Sequence, residues 1–182
     1  MYSEYALVDN VVSPEEASRL IEWGEENFSA AKLIGSKLDW KKRRSKVAWI
    51  TPGSEFEPIM SRLVDTLASV ARDFYKTEIN GAEPIQLTKY TAGCFYGRHM
   101  DALLSGSNRI ISASIELSDP KSYIGGGISF PYHPNPKAKA KQGTMVCFPS
   151  LMIHAARPVF WGTRHSLVIW GTKNDPDQNV TG

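Results

Sequence analysis

At Gly81 the hydrophobic pattern of this chain changes period. Before that point apolar residues recur every three to four positions. After it, short runs rich in Ile, Val, Phe, Trp and Tyr alternate with Gly, Pro, Ser and Asn. A chain divided in this way builds helices first and a body of short strands second. Ser13-Pro14-Glu15-Glu16 reads as a capped helix start, with Ser13 as the cap, Pro14 in the first turn and Glu16 closing a capping box. Ala17, Leu20, Ile21, Gly24 and Phe28 then share a face over about four turns. A second helix is predicted from Glu57 to Lys76, with Ile59, Leu63, Leu67, Val70, Ala71 and Phe74 as its apolar stripe.

Strands are predicted at 46–50, 85–90, 95–99, 109–117, 127–132, 144–148, 153–159 and 164–170. Crossover helices between the later strands are absent, so the expected fold is mostly β within the α+β class: a double-stranded β-helix (jelly roll) backed by two N-terminal α-helices. Residues 1–173 are expected to form one domain and 174–182 a polar C-terminal tail; the Lys137–Lys141 alternation is expected at a solvated hairpin tip.

Composition narrows the function classes. A net charge of +2 supplies no broad basic surface, so no nucleic-acid partner is expected. No apolar run approaches the ~18 residues of a membrane helix, and no secretory signal is visible at the N-terminus. With Cys94 and Cys147 as its two cysteines the chain has no disulfide framework, and a cytoplasmic location is expected.

Four histidines carry the chemical signal: His99, His133, His154 and His165. His99 and Asp101 are two apart at a predicted strand end, so alternation turns both toward one face, where they form either a satisfied polar pair or two metal ligands. His154, in a later strand, can return beside them as a third ligand; taken alone it reads as an ordinary hydrogen-bonded histidine. Two His and one carboxylate leave open positions on a metal, as in non-haem Fe(II) oxygenases. Alternation also puts Arg164, Ser166, Val168 and Trp170 on one face and turns His165 to the other. A guanidinium and a hydroxyl aimed into an apolar barrel suit the far carboxylate of a dicarboxylate; the alternative is a structural pair between Arg164 and an acid of the protein itself. His133, between prolines, reads as a surface or substrate-edge residue.

Taken in order, these pieces resemble a known family. Tyr90-x-x-Gly93-x-x-Tyr96-x-x-His99-x-Asp101, Gly126-Gly127, Gly143-Thr-Met-Val-Cys-Phe-Pro-Ser, His154-Ala-Ala-Arg-Pro-Val159 and Gly162-Thr-Arg164-x-Ser166-x-x-x-Trp170 resemble the prolyl-4-hydroxylase-like branch of the Fe(II)/2-oxoglutarate-dependent dioxygenases. Upstream, Arg44-Ser45-Lys46-Val47-Ala48-Trp49-Ile50 is similar to the family strand that edges the substrate groove. The resemblance implies that His99, Asp101 and His154 bind Fe(II). It further implies that Arg164, Tyr90 and Ser166 hold 2-oxoglutarate and that Trp170 lines the pocket, with Tyr96, Arg44 and Trp49 nearer the substrate. The implied reaction consumes O2 and 2-oxoglutarate, yields succinate and CO2, and hydroxylates a prolyl residue of a peptide or protein, with ascorbate as assay reductant. Hydroxylation of a free amino acid or other small molecule is the second reading, and a non-catalytic jelly-roll metal- or ligand-binding module the third. Asp101 favours hydroxylation over halogenation, because related halogenases lack the carboxylate. Nucleobase-demethylating relatives carry a second Arg where this chain has Trp170.

Overall fold

The structure, a computed structural model, describes residues 4–31, 39–102, 107–138 and 140–173. The N-terminal part contains β1 (Ala6–Val8), α1 (Pro14–Asn27), β2 (Ser29–Ala30), β3 (Arg43–Arg44), β4 (Lys46–Ile50) and α2 (Glu57–Asp73). β5 (Gly81–Ala82), β6 (Ile85–Thr91), β7 (Phe95–His99) and β8 (Arg109–Glu116) follow. The chain ends with β9 (Tyr123–Gly125), β10 (Ile128–Ser129), β11 (Met145–Pro149), β12 (His154–Ala156) and β13 (Val159–Thr172). The larger sheet runs β1-β11-β8-β13-β6-β4-β2, with β5 and β9 also on β13; the smaller runs β10-β12-β7-β3. Their strands pair antiparallel, as a jelly roll requires.

Both helices form where the pattern predicts. Ser13 Oγ accepts from the Glu16 amide while the Glu16 side chain accepts from the Ser13 amide, so two orphan donors of α1 are satisfied reciprocally. α2 ends sooner than predicted, at Asp73. Phe74, expected in its buried stripe, is 47% exposed, and Tyr75 takes the buried place. The Tyr75 hydroxyl shares its proton between the carbonyls of Glu4 and Cys147, so leaving the helical register is compensated by tying the end of α2 to β11 and to the segment before β1.

Strand alternation splits the larger sheet into two unlike faces. Ile85, Leu87, Ile111, Ala113, Ile115, Leu167 and Ile169 pack against Leu20, Leu63, Leu67 and Ala71 of the helices and form the main core. The opposite face carries buried Gln86, Thr88, Ser112, Ser114, Glu116, Arg164 and Ser166, looking toward the smaller sheet. Burying that many polar groups is costly without partners, so this face marks the functional interior. A smaller apolar cluster of Ile128, Phe130, Val146 and Phe148 closes one end, with Ala138 and Ala140 packed on it. The Lys137–Lys141 stretch expected at a solvated tip is therefore anchored by its alanines.

Several strands differ in extent. Only Ile128–Ser129 of the predicted 127–132 strand pairs: Gly127 takes a positive φ just before it, and the His133 amide donating to Phe130 O turns the chain just after it. The last strand begins five residues early, at Val159, because β9 supplies a pairing partner that its short sequence does not announce. The predicted tail 174–182 lies outside the described residues.

Candidate active site

β12 lies antiparallel to β7 with His154 directly opposite His99, so two histidines 55 positions apart in sequence become cross-strand neighbours. Between Tyr96 and His99 the register shifts, three steps on β7 facing two on β12. This bulge turns Tyr96 and His99 toward the same cavity despite their odd spacing. Asp101 follows just beyond the strand, its amide donating to the Ser150 carbonyl at 2.9 Å and its carbonyl accepting from Arg109 Nη1 at 3.2 Å. Its carboxylate lies 3.5 Å from Nε2 of both His99 and His154. One ligand atom from each of the three falls within 4.8 Å of the others.

The tautomers are set by the backbone. A carbonyl can only accept, so Nδ1 of His99 donates to Gly97 O at 2.8 Å and Nδ1 of His154 donates to Met152 O at 2.9 Å. Each ring then presents an Nε2 lone pair to the cluster, the arrangement that orients metal-bound imidazoles. Burial drives the His154 imidazole down to about 4, which Asp101 opposes only in part, so the ring is neutral near pH 7. Burial also works against charge on Asp101, but the adjoining His99 and His154 imidazoles outweigh it and hold the carboxyl well below the usual range. Asp101 Oδ2 is buried with no hydrogen-bond partner among the described residues. A carboxylate with one orphaned oxygen, flanked by two imidazole lone pairs, is a donor set that fits a divalent cation such as Fe(II).

The cavity beside the cluster has a volume of about 300 Å³ and is lined by the three ligand candidates and by Tyr90, Tyr96, Arg164, Ser166 and Trp170. Register brings these together: Arg164 lies opposite Tyr90, and Ser166 opposite Glu116. Arg164 is fully enclosed. Its Nη1 donates to Ser166 Oγ at 3.2 Å and its Nε to Glu116 Oε2 at 2.8 Å. The sequence offers an outside dicarboxylate or an acid of the protein as alternatives for Arg164; the protein's own acid is present on the Nε edge, while the guanidinium still lines the cavity. Burial disfavours its charge, but Glu116 more than compensates and raises its pKa. Gly126 sits against this pair at φ +59°, where a Cβ would approach the Tyr123 ring to 2.8 Å and Arg164 Cδ to 3.1 Å.

One expected site residue is not in the cavity. Arg44 points outward, donates to Trp40 O at 3.0 Å and stacks over Phe95. The segment read as one strand from 44 to 50 crosses between sheets at Ser45: β3 pairs with β7, whereas β4 pairs with β6. The neighbour Arg43 turns inward instead, opposite Tyr96. Trp49 lines the mouth, 6.0 Å from the Trp170 ring. His165 faces away, between Ser118 and Glu25, as alternation predicts, and His133 is half-buried beside Tyr5, outside the cavity lining. Sequence reasoning missed Arg43, Gln86, Arg109, Ser114 and Glu116. For Glu116 a signal exists: it shares the alternating face of Ser112 and Ser114 at the end of an otherwise apolar strand.

Residues 85–172 match the family model of the 2OG-Fe(II) oxygenase superfamily. A PKHD-type hydroxylase of Synechococcus elongatus is 34% identical over 89 residues, covering 46% of this chain and 40% of that protein. Another, from Teredinibacter turnerae, is 34% identical over 102 residues, covering 52% and 45%. This chain thus matches less than half the length of these curated relatives. Among solved structures, a Pseudomonas putida prolyl-4-hydroxylase superposes with a TM-score of 0.76 at 18% identity, covering 94% of this chain and 93% of that one. A Trichoplax adhaerens prolyl hydroxylase, in complex with a hypoxia inducible factor peptide fragment, also reaches 0.76, at 17% identity, with 99% and 88% covered. These likenesses show the jelly-roll fold. The segment matched by the family model holds the His99-Asp101-His154 cluster together with Tyr90, Arg164 and Ser166, so over these residues the chain is similar to the 2OG-Fe(II) oxygenase superfamily.

Proposed function

We propose that this protein is an Fe(II)- and 2-oxoglutarate-dependent hydroxylase acting on a prolyl residue of a peptide or protein, through a single domain spanning residues 1–173. The observation that carries this reading is the Asp101 carboxylate set between two backbone-oriented imidazoles, Oδ1 beside His99 and the orphaned Oδ2 beside His154, at the wall of the cavity that Arg164 also lines. When bound, the ferrous ion with 2-oxoglutarate and O2 supplies an oxidant strong enough for an unactivated C–H bond, releasing succinate and CO2. His99, Asp101 and His154 would hold the ion on one side only, leaving the cavity side for small molecules. Arg164 would receive the distal carboxylate of the cosubstrate on the guanidinium edge that Glu116 does not occupy, with Ser166 and Tyr90 as hydrogen-bonding neighbours. Trp170, Phe148 and Ile128 line this space and would limit water within it. Tyr96 and Trp49 would meet the substrate, whose prolyl ring suits their aromatic faces. The prolyl hydroxylase character of the neighbours supports the substrate class.

The test is succinate formation from 2-oxoglutarate with Fe(II) and ascorbate, alongside mass spectrometry of proline-containing peptides. The expected result is iron-dependent succinate together with a gain of one oxygen on proline. Succinate without peptide oxidation, but with oxidation of free amino acids, supports the second reading. A non-catalytic binding module forms no succinate.

A further inference from the structure

Three arginines line the cavity, and two of them are matched by acids. Arg164 pairs with Glu116 at 2.8 Å, and Arg109 makes a two-pronged contact with Glu83 at 2.6 and 2.5 Å. Arg43 has no such partner among the described residues. It is 9% exposed, and its hydrogen bonds go to neutral groups: Nε donates to Ser45 Oγ and Nη2 to Gln86 Oε1, each at 2.8 Å. Its guanidinium lies 4.6 Å from the centre of the Tyr96 ring, and Tyr96 stacks on His99 with centroids 3.6 Å apart. Arg43 is therefore two stacked layers from a candidate metal ligand. A guanidinium withdrawn from water and held by a hydroxyl, an amide and a ring retains an unspent charge, and its Nη1 has no partner among the described residues. Asp101 lines the same cavity, but the Tyr96–His99 stack separates it from Arg43.

We propose that Arg43 selects the substrate by pairing with a carboxylate, so that the preferred substrate carries an anionic group beside the carbon that is oxidised; this rests on the hydroxylase reading above. The hydrogen bonds to Ser45 and Gln86 fix the guanidinium plane in advance, so little rotamer freedom is lost when the anion arrives. The donors left over suit a carboxylate, whereas a phosphate dianion needs more than Arg43 has free. Trp49 and Tyr96 offer flat apolar surface for the neutral part of the same molecule. That carboxylate belongs either to a free amino acid or to an acidic residue next to the target in a peptide.

Matched acid and amide pairs separate these sources. Free L-proline is compared with L-prolinamide, and end-blocked peptides with Asp beside the proline are compared with their Asn counterparts. Relative kcat/KM is measured on enzyme supplied with Fe(II) and 2-oxoglutarate, and equilibrium binding of the same compounds is measured without oxygen. The expected result is a preference of about tenfold or more for the acid in one pair, by turnover and by binding. Arg43→Gln should reduce the preference to within about twofold and Arg43→Lys should keep part of it, since charge survives without the planar fork. Equal use and equal binding of acid and amide in both pairs would overturn the inference, as would a preference undiminished in Arg43→Gln. If no succinate forms with any compound, the hydroxylase reading fails, and the oxygen-free binding comparison still decides whether Arg43 recognises the carboxylate.

Discussion

Asp101 and Arg164 are each buried beside a group of opposite or complementary character, yet they differ in what they lack. Asp101 has no hydrogen bond to its Oδ2, whereas Arg164 already holds Glu116. Asp101→Ala or His99→Ala should therefore abolish iron-dependent turnover with little loss of fold, because the cluster contributes ligand atoms more than packing; retained turnover with a circular dichroism spectrum like wild type would refute the ligand assignment. Arg164→Ala should raise the 2-oxoglutarate requirement far more than the Fe(II) requirement. It also strands Glu116, which is expected to cost about 3–5 kcal/mol in a denaturant titration. Glu116→Gln separates the two effects: the guanidinium loses a competitor, so 2-oxoglutarate should bind more tightly while the cosubstrate-free protein becomes less stable. A weaker cosubstrate affinity in that variant would show that Glu116 positions Arg164 rather than competing for it. Cys147 supplies a prediction of another kind. Burial pushes its thiol up to about 12, so alkylating reagents should modify Cys94 in the folded protein and reach Cys147 only on unfolding. Peptide mapping after timed labelling reads the difference.

Helices α1 and α2 position nothing in the cavity directly; they cover the apolar face of the larger sheet and so leave its polar face to look inward. Their ends are where the element scale is testable. Ser13→Ala removes one arm of the capping box, and Glu16, which also pairs with Arg62 at 2.7 Å, loses its reciprocal partner. A loss of about 1 kcal/mol is expected, or ~2–4 °C in Tm, with the 2-oxoglutarate requirement unchanged. The bulge in β7 is the counterpart within the site. It is the reason Tyr96 and His99 share the cavity, and strict alternation would have sent them to opposite faces. The same logic of short elements accounts for Arg43 and Arg44, a two-residue strand whose members face opposite ways, so that one enters the site and the other stacks outside it.

The molecule as a whole is two antiparallel sheets whose facing surfaces carry the chemistry, with the apolar core displaced to the helix side. A polar interior of this kind is stabilised by what fills it. A redox-inert divalent ion together with 2-oxoglutarate should raise Tm, by an amount corresponding to ~2.7 kcal/mol once ligand reaches a hundredfold excess over its Kd. No such rise should occur in Asp101→Ala, and thermal melts with and without the pair of ligands check it. Among the described residues no helix is long and apolar enough to cross a membrane.

Local pattern alone determined the helix starts, the Lys46–Ile50 strand, the inward face of Arg164, Ser166 and Trp170, and the outward turn of His165. Each depends on periodicity or capping within a few residues, which the covalent order of side chains dictates directly. The His99–Asp101 spacing was legible for the same reason. That His154 lies opposite His99 was decided by sheet register, as was the placing of Glu116 beside Arg164 and of Arg43 against Tyr96. These contacts join residues about 50 positions apart, and a one-residue slip in pairing would undo every one of them. Partners of that kind follow from how strands from distant parts of the chain align, a balance of turns, bulges and burial that no local window of sequence contains.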